Sequence, residues 1–146
     1  MIEVLSDYIY IVVATGGWIT AQLIKIILSL RQDGLNWYDL LTSGGMPSSH
    51  VSLVTSVALL VGLDQGFDST IFGLALTVWG VVVYDSMGVR RATGENTKTL
   101  RQIAEILKLG DQKKAYSLAL GHSPSQVFGG FMVGLAWTSL TYWLLG

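Results

Sequence analysis

The chain has 146 residues, 51% hydrophobic and only 13% charged, with a net charge of −1 at pH 7. That is one domain's worth of sequence with about half the charged share of an ordinary soluble protein. It has no cysteine, so disulfide frameworks, thiolate metal sites and Cys nucleophiles are excluded, and the absence of a Walker-type loop, a dinucleotide fingerprint and a basic-aromatic array argues against nucleotide motifs and nucleic-acid partners.

The first residues, MIEVLSD, carry Glu3 and Asp7 and no Lys or Arg, unlike the basic start of a cleaved secretory signal. Tyr8 to Ile24 is free of formal charge, and the apolar character resumes after Lys25 through Leu30. This predicts a spanning helix whose lysine reaches toward an interface. Next comes GGMPSSHVS, residues 44–52, where a glycine turn meets Pro47 and then Ser48 or Ser49 as the cap of a new helix. Val51 to Leu63 is the second apolar run, and Ser69 to Tyr84 the third, ending at Asp85. From Thr99 to Leu109 the pattern is amphipathic, with Leu100, Ile103, Ala104 and Leu107 on one face. Such a helix suits the headgroup layer or a position packed over the bundle. LGHSPSQVFGG then sets His122 just before Pro124, and Val127 to Leu145 is the fourth apolar run, with Gly129, Gly130 and Gly134 and an aromatic end at Tyr142 and Trp143.

All nine basic residues fall in two places: Lys25 and Arg31 after the first run, and Arg90, Arg91, Lys98, Arg101, Lys108, Lys113 and Lys114 between the third and fourth. Four crossings put those two connections on one side and the uncharged or acidic segments on the other. By the positive-inside rule both termini face outward and the basic connections face the cytoplasm. The expected fold is all-α: a polytopic membrane bundle of four transmembrane helices, with an amphipathic interfacial helix in the third connection, forming a single integral-membrane domain over residues 1–146. A soluble four-helix core is the alternative, and the one-sided charge speaks against it.

The polar residues at the basic face are the candidate site. A helix start at Pro47-Ser48-Ser49 offers N–H groups and hydroxyls to an anion, with His50 in the first turn. His122 stands beside another helix start on the same face, and two such histidines can divide nucleophile and general-acid roles. Lys25, Arg31, Arg90 and Arg91 lie there as phosphate clamps would. Asp85 is open to three roles: orienting a histidine, pairing with Arg90 or Arg91, or binding a metal. Asp85, Glu95 and the histidines show no recognised metal spacing, so no metal and no cofactor is expected.

GGMPSSH, YDSMGVRRATGE and LGHSPSQVFGG, in this order between four apolar runs, resemble the divergent branch of the type-2 phosphatidic acid phosphatase superfamily, which is related to the vanadium haloperoxidases. The resemblance runs from Lys25 onward. It implies that His50 is the general acid for the leaving alcohol, with Ser48 and Ser49 as phosphate contacts, and that His122 is a nucleophile forming a phosphohistidine. Gln126 stands where the parent superfamily has an orienting aspartate, and the parent's arginine six residues before the nucleophile is missing. Arg90 or Arg91 would supply that charge and Asp85 the carboxylate. The parent's first motif is matched loosely by Lys25 and Arg31.

The implied activity is hydrolysis of a lipid phosphate, with phosphatidic acid, phosphatidylglycerol phosphate and polyprenyl phosphates as candidates. Two other readings stand beside it: a non-catalytic module that binds phospholipid headgroups or a partner helix, and a small transporter or channel gated at Asp85. The expected location is a bacterial inner membrane or a plastid membrane, and the glycine-rich faces suit packing between copies of the chain.

Overall fold

The computed structural model describes residues 8–32, 45–107 and 122–145. Among the described residues there are five helices and no strand: α1 (Ile9–Gln32), α2 (Ser49–Gln65), α3 (Thr70–Met87), α4 (Val89–Ile106) and α5 (Pro124–Leu145).

Helix α2 is the hub. It packs against α1, α3 and α5, while α1 also meets α5 and, among the described residues, α4 leans on α3 alone. The residues α2 buries explain why it sits at the centre. Ser49, Ser52, Thr55, Ser56, Ala58 and Gly62 are small, so neighbouring backbones come close enough for side-chain hydroxyls to reach main-chain carbonyls. Ser52 Oγ donates to Gly17 O of α1 at 2.9 Å, and Thr138 Oγ1 of α5 donates to Ser56 O at 3.3 Å. A Cβ built on Gly134 would lie 2.6 Å from Ser52 O, and one on Gly130 would lie 2.3 Å from Ser48 O. Only glycine permits that approach of α5 to α2.

These contacts fix the directions. Tyr10 at the start of α1 hydrogen-bonds Asp64 at the end of α2, so the two run antiparallel. Gly130, Gly134 and Thr138 meet Ser48, Ser52 and Ser56 in the same order, so α5 runs parallel to α2. Helix α3 returns antiparallel to α2, with Trp79 Nε1 donating to Thr55 Oγ1 at 2.9 Å. The starts of α2 and α5, the end of α3 and the start of α4 therefore gather at one end of the bundle.

The molecule is apolar on the outside. Ile11, Leu23, Ile27, Leu74, Val81 and Phe128 are exposed, while the buried polar residues include Ser48, Ser52, Thr55, Ser56 and Thr138. Water would not tolerate so large an apolar surface, whereas hydrocarbon does. Among the described residues, three helical segments are long and apolar enough to cross a membrane: Ile9–Leu30, Thr70–Met87 and Pro124–Leu144. Helix α2, the fourth expected span, has 17 residues. It rises about 26 Å, somewhat less than a hydrocarbon core of about 30 Å, and its apolar run is diluted by the hydroxyls it needs for packing.

Two boundaries differ from expectation. Helix α3 continues to Met87, so Asp85 sits in its last turn rather than beyond it, and Gly88 alone separates α3 from α4. Helix α4 begins ten residues before the expected Thr99, and residues 108–109 of the anticipated segment lie outside the described residues. Nothing in VRRATGEN breaks a helix strongly; its Arg, Ala and Glu residues favour one, so the charged stretch is part of the element rather than a linker.

Candidate functional site

The site grows from two helix starts. Ser48 is the N-cap of α2, in extended conformation, and its Oγ accepts from Val51 N at 3.5 Å. Of the two serines expected to cap, the first does so, which places Ser49 and His50 at the first two helical positions. Ser48 and Ser49 are buried and His50 is exposed.

At α5 the sequence Ser123-Pro124-Ser125-Gln126 forms a capping box. Ser123 Oγ accepts from Gln126 N at 3.4 Å, and Gln126 Oε1 accepts from Ser123 N at 2.9 Å. Pro124 takes the first helical position, where its missing N–H is of no consequence. The same Gln126 Oε1 lies 3.3 Å from His122 Nδ1. An amide oxygen only accepts, and the Ser123 N–H fixes which end of the amide faces this way. In this contact His122 therefore carries its proton on Nδ1, which leaves Nε2 as the basic nitrogen.

The two starts are joined. Ser48 N donates to Gln126 O at 3.0 Å, which lays the His50 turn alongside the His122 turn. His122 N in turn donates to Ser86 O at 3.2 Å, bringing the last turn of α3, with half-buried Asp85, to the same end. His122 is 2% exposed. Histidines 72 positions apart in sequence thus belong to one cluster of helix ends, together with Ser48, Ser49, Asp85 and Gln126.

Lys25, expected to reach toward an interface, is only 7% exposed. A Cβ on Gly45 would sit 3.3 Å from Lys25 Cδ, and Gly45 has φ +95°, so this glycine both turns the chain and clears room for the lysine stem. Gly45 is three residues from Ser48, which sets the lysine near the helix starts. Arg31 lies at the end of α1, and Arg90 and Arg91 in the first turn of α4; their side chains lie outside the described residues. Glu95 lies further along α4 and is exposed. Among the described residues no three His, Asp or Glu side chains gather as a metal-binding set.

Ser123 and Gln22 were not singled out from the sequence. The S-P-S-Q pattern carries the capping-box signal for Ser123. Gln22, three residues before Lys25 on α1, buries its Oε1 without a hydrogen-bond partner among the described residues; its only sequence signal is an amide within an apolar run.

The model of the Divergent PAP2 family matches residues 7–137. The chain is 31% identical over 134 residues to the uncharacterized membrane protein YuiD of Bacillus subtilis strain 168, covering 82% of this chain and 85% of that protein. No solved structure matches.

Proposed function

Because the chain belongs to the Divergent PAP2 family, we propose that it is a membrane-embedded phosphatase, hydrolysing a lipid phosphate monoester through a phosphohistidine at His122 without a metal. The observation that carries this reading is the junction of the two helix starts, in which Ser48 N meets Gln126 O while Gln126 Oε1 meets His122 Nδ1.

In the first step His122 Nε2 attacks phosphorus, the bond from phosphorus to the ester oxygen breaks, and His50 gives its proton to the departing alkoxide. The Nδ1 proton stays with His122, held toward Gln126 Oε1, as positive charge develops on the ring. In the second step a water oxygen attacks phosphorus, its proton passes to His50, and the P–N bond breaks to release inorganic phosphate and restore both histidines. Lys25, Arg31, Arg90 and Arg91 neutralise the phosphoryl oxygens, while Ser48 and Ser49 with the α2 start supply hydrogen-bond donors. A buried ammonium such as Lys25 is costly on its own, and a phosphate dianion offsets that cost. Asp85 orients the cluster or pairs with Arg90 or Arg91. The site faces the cytoplasm of a bacterial inner membrane or its plastid counterpart, with both termini outside, α2 as a fourth span and α4 in the headgroup layer.

The test is phosphate release from phosphatidic acid, phosphatidylglycerol phosphate and a polyprenyl phosphate by purified protein with chelator present. Release that persists with chelator, is blocked by vanadate, and is lost in His122→Ala and His50→Ala is the expected result. Binding without release, indifferent to both substitutions, would overturn the reading.

A second reading is a non-catalytic module that holds phospholipid headgroups on the same basic face. Its support is that His122 is nearly fully buried and that Gln126, where an aspartate would be, already serves as a helix cap.

A further inference from the structure

Helices α2, α3 and α5 leave a narrow, open groove of about 170 Å³ between them. Thr55, Ala58 and Leu59 of α2 form its back, with Leu76 of α3 and Leu135 of α5 among the residues at its sides. Trp79 Nε1 donates to Thr55 Oγ1, so the two polar side chains in the lining satisfy one another and the groove offers a ligand only hydrocarbon contact.

Its position says what fills it. Thr55 and Leu59 lie seven and eleven residues along α2 from the capping Ser48, at depths of about 10 and about 17 Å. One leaflet of a bilayer contributes about 15 Å of hydrocarbon. The tail of a lipid whose headgroup sits at the α2 start therefore ends at the level of this groove. An aromatic track leads there from the α5 start: Phe128 and Phe131 have ring centroids 6.5 Å apart, and Phe131 and Trp79 6.1 Å. Two aromatic rings line the far end. Phe67 presses on Gly62, where a Cβ would meet its ring at 2.4 Å, and stands edge-to-face with Phe72 at 5.1 Å.

From this we infer that the groove seats one hydrocarbon tail of the lipid phosphate held at the helix starts, with Phe67 and Phe72 as the stop that limits tail length. The inference rests on the phosphatase reading for its headgroup site, but not on turnover. Contact with the tail adds affinity for long-chain substrates and leaves the chemistry at His122 unchanged.

The experiment uses full-length protein in phosphatidylcholine nanodiscs, with phosphatidic acid bearing a diazirine near the end of one acyl chain. Irradiation is expected to label peptides containing Leu59, Leu76 or Leu135, and excess unlabelled phosphatidic acid to compete the label away while diacylglycerol with the same chains does not. Leu76 is 48% exposed, so Leu76→Trp fills the groove from its open side. It should cut labelling about tenfold, the factor that 1.4 kcal/mol of lost contact gives. Equal competition by diacylglycerol, or label spread evenly over the exposed faces of α1 and α3, would overturn the inference. Phosphate release is read in the same samples: groove labelling without release defeats the phosphatase reading alone, and release without groove labelling defeats this one alone.

Discussion

Gln126 places one oxygen between two demands. Its Oε1 takes the Ser123 N–H of the helix cap and faces the His122 ring. In the proposed reaction this neutral amide would stand in for an aspartate as the acceptor that holds the proton on Nδ1, leaving Nε2 for the phosphorus. The two demands separate by substitution. Ser123→Ala removes the hydroxyl that accepts from Gln126 N and is expected to lower stability by about 1 kcal/mol with turnover largely kept. Gln126→Leu also removes the acceptor at His122, and phosphate release is expected to fall about a hundredfold while the protein still elutes as a folded species. Equal kinetic losses in the two variants would show that Gln126 is only a cap. Much of this was legible in the sequence: the PSSH cap, both histidines and the unusual Gln126 are visible there. What was not visible is that Lys25 is covered, because a lysine in an apolar run does not reveal which distant residue, here Gly45, packs beside its stem.

Among the helices, glycine divides into two kinds. Gly134 faces α2, and an added Cβ would stand 2.6 Å from Ser52 O, whereas Gly73 and Gly80 on α3 have nothing within 4 Å. Gly134→Ala must push α5 away from α2 and is expected to cost about 1–3 kcal/mol. Gly73→Ala should be neutral or stabilising by up to about 1 kcal/mol through helix propensity. Thermal unfolding in detergent measures both, and a lowered Tm for Gly73→Ala with none for Gly134→Ala would contradict the packing described. The sequence alone does not sort these residues, since hydropathy reports that a run is apolar but not which face meets a helix and which meets lipid. For the same reason α2, rich in Ser and Thr, reads as a weak span by composition while its position makes it the centre of the bundle.

Over the whole molecule, the antiparallel order of α1, α2 and α3 brings the end of α1, which carries Lys25 and Arg31, to the same end as the starts of α2, α4 and α5. Sidedness is open to a clean test because the chain has no cysteine. In intact bacterial cells, Asp68→Cys in the α2–α3 turn is expected to react with an impermeant maleimide, and Gln102→Cys on α4 only after the membrane is opened. The reverse pattern would place the histidine cluster on the outer face.

The proposed reaction turns on phosphorylation of His122, and trapping that intermediate is its sharpest test. Protein mixed briefly with phosphatidic acid labelled in its phosphate is quenched in alkali, where a phosphohistidine survives. An acid-labile phosphoryl group is expected on the peptide containing His122 and absent in His122→Ala. Phosphate released at the normal rate by His122→Ala, or label found on a serine, would contradict it.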